Sequence, residues 1–174
     1  MIYLIADTHF GHRNIIKYED RPFNNVDTMD KQLIEKWNSV VEEDDKVFHL
    51  GDFSLCSTRR SFYIFNRLKG QKYLIKGNHD VYSDTKLKER MGFKRVFEEF
   101  WLGDNILLTH KPKEVHPQVL NIHGYTHKLF YQKSKWRTSK HHFCVSVELI
   151  DYTPISLEDL IKEWQGQSNL GVIR

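Results

Sequence analysis

The sequence predicts an α/β protein in which two sheets pack together with helices outside. Strand-like and helix-like segments alternate through the first half of the chain, and short β-rich runs dominate the second. A further observation concerns what the strands deliver. Five apolar runs each end in a cluster of Asp, His or Asn, as strands do when their carboxyl ends line a shared crevice.

Residues 2–6 (IYLIA) are uniformly apolar, which predicts a buried strand. Met29, Leu33, Ile34, Trp37 and Val40 recur at helical spacing and predict a helix over 27–41, with Asp27 or Thr28 as its cap. Residues 46–50 and 72–76 predict two more strands, with helices over 58–68 and 84–91 beside them. Two β-rich runs follow, 94–101 and 105–109, divided by a turn at Gly103-Asp104. Residues 118–123 and 142–150 predict further strands, so the second half is expected to be mostly antiparallel. Ser156, with Asp159 three residues on, predicts a capping box for a last helix over 157–165.

The bulk numbers fit one domain over 1–174. Hydrophobic residues make up 40% and charged residues 28%, a globular balance. The excess of 26 basic over 23 acidic residues is too small and scattered to announce a nucleic-acid-binding protein. Cys56 and Cys144 belong to no metal or disulfide pattern and read as reduced thiols. The opening MIYLIAD lacks a basic leader, and no run approaches the ~20 apolar residues of a membrane span, so a cytoplasmic protein without membrane contact is expected.

The five strand ends are Asp7-Thr8-His9, Gly51-Asp52, Gly77-Asn78-His79-Asp80, His110 and His123-Gly124-Tyr125-Thr126-His127. Taken singly, each has an ordinary reading as a turn or a satisfied histidine; their joint recurrence points to metal. Carboxylate, imidazole and amide donors without thiolate favour Mn, Fe, Zn or Ni, with Mn the choice in vitro. Five or six such groups exceed the needs of one ion. Two divalent metal ions sharing a carboxylate, roughly 3.5–4 Å apart, are therefore expected.

The set Asp7-x-His9, Gly51-Asp52, Gly77-Asn78-His79-Asp80, His110 and Gly124-x-x-His127 resembles the five-part signature of the calcineurin-like metallophosphoesterases. Asp7-Thr8-His9-Phe10-Gly11-His12, Arg21-Pro22-Phe23, His49-Leu50-Gly51-Asp52 and the ending Tyr152-Thr153-Pro154-Ile155-Ser156-Leu157 resemble a short bacterial and phage subgroup. The resemblance implies a four-layer α/β/β/α sandwich of two mixed sheets with helices on both outer faces. It implies that Asp7, His9 and His127 hold one metal, that Asp52 bridges, and that Asn78 and His110 hold the second. It makes His79 the acid that protonates the leaving oxygen, with Asp80 orienting its ring, after in-line attack by a metal-bridging hydroxide.

This chain departs from the family's Gly-His-x-His at Tyr125, where a ligand of the second metal is expected. A weakened second site follows. His123 is not expected to substitute, because the family carries a His there alongside the missing one. His12, Asn14 and Arg21 follow the first loop and are candidates for a substrate phosphate, Arg21 by bidentate pairing. The other histidines read as structural or surface. The implied substrates are phosphodiesters or small phosphomonoesters, a nucleotide or nucleic acid among them. Two alternatives stand beside this reading: a degenerate member serving as a binding module, and a nuclease using the basic, aromatic-interleaved stretch 111–140.

Overall fold

Ile2–Ile5 forms β1, the second strand of a five-stranded sheet, because its residues are apolar on both sides. In this computed structural model, which describes residues 1–127 and 137–168, Tyr3 and Ile5 face a helical layer. Leu4 and Ala6 face a second sheet. β2 (Lys46–His49), β3 (Gln71–Ile75) and β4 (Arg95–Phe97) follow in parallel, and β10 (Ile155–Ser156) pairs antiparallel on the other side of β1.

The second sheet runs β5-β6-β7-β9-β8, from Glu99–Leu102, Ile106–Thr109, Leu120–His123, His142–Cys144 and Arg137–Ser139. The expectation that this half is mostly antiparallel is corrected here: β6, β7 and β9 are mutually parallel. Their crossovers carry no regular helix among the described residues, so no local periodicity marks them as parallel connections. The 94–101 run is also two strands. It breaks at Glu98, with β4 joining the first sheet and β5 the second. Phe48, Leu50 and Ile75 meet Ile106, Leu108, Leu120, Ile122, Phe143 and Val145 between the sheets.

Helix α1 (Ile15–Tyr18) is short and unanticipated. Helix α2 (Val26–Val40) buries Met29, Leu33, Ile34 and Trp37 as their spacing requires. Its cap is Asn25, whose side chain accepts the Thr28 N–H, rather than Asp27 or Thr28. Helix α3 spans Thr58–Phe65, capped by Ser57. Lys86–Met91 forms a single wide π turn rather than an α-helix, closed by Gly92 at φ 97°. Helix α4 (Leu157–Ser168) starts where expected: the Ser156 hydroxyl accepts the Asp159 N–H and donates to its carboxylate. Leu160 of α4 belongs to the same buried cluster as Leu4, Phe48 and Ile122, and Leu157, Ile161 and Trp164 pack against that cluster. No described helix is long and apolar enough to cross a membrane.

The sheets meet at one end. Ala6 donates to Val145 O at 2.8 Å and accepts from Val147 N at 3.1 Å, which joins the end of β1 to the chain leaving β9. Asp7 N to Gly51 O, Val145 N to His123 O and Gly124 N to His110 O extend this into a belt under the carboxyl ends of β1, β2, β6, β7 and β9.

Candidate metal centre

Four of the five expected loops hang from that belt, and the 77–80 loop is tied in from β3. Asp7 and His9 leave β1 with φ of 57° and 49°, Asp52 leaves β2 at 58°, and Tyr125 and His127 follow β7 at 71° and 43°. A left-handed backbone at a residue with a side chain costs on the order of 1–3 kcal/mol, and five such residues at one edge mark a place where side-chain direction overrides comfort. The loops approach closely because glycines allow it. A Cβ on Gly77 would overlap the Asp52 carboxylate, and one on Gly51 would overlap the His110 ring.

The expected ligands come together. Asp7, His9 and His127 each offer a donor atom within 4.8 Å of the others, and so do Asp7, Asp52 and His110. Asp52 Oδ2 lies 3.7 Å from His9 Nε2 and 3.6 Å from His110 Nε2, between the two groups. Asn78 Oδ1 lies 3.0 Å from His110 Nε2. Leu50 O, at 2.8 Å, can only accept, so His110 Nδ1 carries a proton.

These residues fit divalent ions on an observation of their own. Asp7 Oδ1 and both ring nitrogens of His9 are buried without a hydrogen-bond partner among the described residues. Buried polar atoms are ordinarily paired, and lone pairs from an imidazole and a carboxylate facing one another are what a cation satisfies. Burial, reinforced by Arg21 and the neighbouring imidazoles, pushes His9 down to about 2, so its ring is neutral and ready to ligate. Burial lifts Asp7 to about 6 against the pull of His127 and His110. Burial also opposes protonation of His127, but a hydrogen bond to Glu148 and the charges of Asp7 and Glu148 prevail and raise it to about 9.

The surrounding residues sort differently. His79 is exposed at the rim, its N–H bound to Asp52 Oδ1 at 2.8 Å and its ring 5.5 Å from that of His9. The expected role of Asp80 in orienting that ring is corrected. Asp80 is buried, and its oxygens accept the N–H groups of Asp52 (2.8 Å), Phe53 (3.1 Å) and Gly77 (2.9 Å), clamping two metal loops together. His12 stands 5.5 Å from the His9 ring, and Asn14 is exposed at the start of α1.

Arg21 does not reach outward to a phosphate. It is 3% exposed, and its guanidinium bonds Glu148 and the carbonyls of Asp7 and Thr8. Tyr125 is 43% exposed, edge-on to His110 at 5.5 Å, with Lys111 Nζ 4.5 Å over its ring. Its N–H donates to Asp7 Oδ2 at 2.9 Å. His123 is fully buried, its Nδ1 on Gly124 O at 2.8 Å, and shares no ligand group with the others.

Two residues escaped sequence reasoning. Ser146 donates to Asp7 Oδ2 at 2.5 Å, and Glu148 Oε2 lies 3.1 Å from His127 Nδ1. Both alternate with Val145 and Val147 in a run read as strand, and a carboxylate in such a run was the available signal. Of the basic stretch, Lys128, Phe130, Tyr131, Lys133, Lys135 and Trp136 lie outside the described residues. Lys111 and Lys113 line a groove of about 350 Å³ that opens beside Asn78 and His110, with Lys76 and the acidic Glu98 and Glu99.

A model of the calcineurin-like phosphoesterase family matches residues 1–165. An uncharacterized protein of Methanocaldococcus jannaschii is 37% identical over 167 residues, 92% of this chain and 89% of its own length. The Gene 66 protein of Mycobacterium phage L5 is 36% identical over 78 residues, 43% of this chain and 37% of that protein. Among solved structures, a protein of unknown function from Aquifex aeolicus superposes with a TM-score of 0.68 at 26% identity, covering 93% of this chain and 98% of that one. Pseudomonas putida nuclease MPE gives a TM-score of 0.50 at 21% identity, over 72% of this chain and 61% of its own, a likeness of fold.

Proposed function

The chain belongs to the calcineurin-like phosphoesterase family, and from that membership we propose that it hydrolyses phosphate esters, phosphodiesters or small phosphomonoesters, with two divalent ions. The observation that carries this reading is the set of buried donor atoms on Asp7 and His9, unpartnered among the described residues, beside Asp52 and His127. Asp7, His9 and His127 would hold one ion, Asn78 and His110 the other, with Asp52 between. When bound, the ions supply positive charge for the phosphoryl oxygens and lower the pKa of water.

The protein's own groups do the rest. Asp80 fixes the spacing of the 52 and 77 loops through three backbone hydrogen bonds. His79, exposed beside His9, stands where it can give a proton to the leaving oxygen. Lys111 offers a charge to the substrate on the Asn78–His110 side.

The test is hydrolysis of a chromogenic phosphodiester and its monoester with Mn²⁺, Fe²⁺, Zn²⁺ or Ni²⁺ added to stripped protein. Turnover should appear with metal, vanish on chelation and fall to background in Asp52→Asn. Elemental analysis should find about two ions per chain. Absence of turnover with every metal and both esters sinks the proposal.

A further inference from the structure

Under the first group of ligands lies a charged pair that has no part in the chemistry just described. The side chains of Arg21 and Glu148 are both fully buried, with Nη2 2.6 Å and Nε 2.8 Å from Glu148 Oε1. Nη2 also donates to the Asp7 carbonyl at 2.7 Å, and Nη1 to the Thr8 carbonyl at 2.9 Å. The second carboxylate oxygen, Oε2, faces His127 Nδ1 at 3.1 Å. A carboxylate only accepts, so Nδ1 holds a proton and Nε2 is the nitrogen left for a cation, on the side of Asp7 Oδ1 at 4.0 Å.

We infer that Glu148 is a positioning residue for the first metal: it fixes the ring orientation and tautomer of His127, while Arg21 locks that carboxylate to the backbone of Asp7 and Thr8. Two ligands from distant parts of the chain are thus referenced to one buried ion pair. Outer partners of this kind orient ligating imidazoles, and their removal typically costs 10- to 100-fold in metal affinity. Burying two charges is expensive, and a surface carboxylate could not hold the ring so rigidly. The inference rests on the metal centre proposed above and not on the reaction assigned to it.

The experiment titrates stripped, full-length protein with Zn²⁺ by competition calorimetry and records long-range ¹H–¹⁵N correlations of the histidine rings. In the Zn²⁺-loaded wild type, His127 should carry its proton on Nδ1. Glu148→Ala should weaken one of the two ions by about 100-fold and leave the other unchanged, and Glu148→Gln, which keeps an acceptor of the same reach, by about 10-fold. Glu148→Ala strands the Arg21 charge; should it fail to fold, the Gln variant decides the matter.

Wild-type affinity in the folded variants overturns the inference, as does a proton found on Nε2 in the wild type. Loss of both ions in step with a lower Tm overturns it too, because that is a structural effect only. A wild type that binds two ions and hydrolyses nothing removes the enzymatic reading and leaves this one standing.

Discussion

Tyr125 shows how much one side chain can decide. Its backbone N–H serves Asp7, but its phenol packs against His110 and under Lys111, at the position where the sequence resemblance leads us to expect an imidazole. We expect Tyr125→His to tighten the second ion by about tenfold, read by calorimetric Mn²⁺ titration, with the first ion unmoved. Gly77 decides in another way: Gly77→Ala drives a Cβ into the Asp52 carboxylate and should remove both metal binding and turnover. His49 makes a pH prediction. Burial, with His110 beside it, pushes its ring down to about 3, and Nε2 is bonded to Thr8 Oγ1 at 2.9 Å. In the unfolded chain the ring takes a proton below about 6.5. Its contribution to stability is therefore complete above that value and lost as pH falls toward 3. His123, lowered to about 4 by burial, has the same sign. The urea midpoint of stripped protein should fall from pH 7 to pH 4.5, and less steeply in His49→Gln.

At the scale of elements, the convergence of Asp7, His9, Asp52, Asn78, His110 and His127 was legible because parallel strands deliver their carboxyl ends to one edge, so a motif after each apolar run suffices to gather them. Glu148 and Arg21 were not legible as a pair. They are 127 positions apart, and only the packing of the α1 segment against the turn after β9 brings them together. The split between β4 and β5 was hidden for a related reason: the change of sheet happens at Glu98, and the apolar pattern on both sides is the same. Helix ends depend on short-range hydrogen bonds that compete closely, which is why Asn25 and not Asp27 caps α2. Asn25→Ala should lower stability by about 1 kcal/mol in chemical denaturation, with catalysis unchanged.

Over the whole molecule, the candidate centre joins both sheets: Asp7, His9, Asp52 and Asn78 come from one, His110 and His127 from the other. Metal should therefore stabilise the fold as a unit. At a hundredfold excess over the dissociation constant each site adds about 2.7 kcal/mol, so chelation should lower Tm in one cooperative step. Two separated transitions would show that the sheets unfold independently.

Ala6 has a consequence of its own. Because its N–H and C=O bond to residues 145 and 147 while Ile5 and Asp7 bond to Leu50 and Gly51 just past β2, the backbone is a single fabric at this edge and, among the described residues, two plies elsewhere. Shearing of one ply over the other is pinned there, and any breathing of the interior has to begin at the opposite rim. The amides of Ala6, Val145 and Val147 should then be among the last to exchange with deuterium, even in protein stripped of its ions.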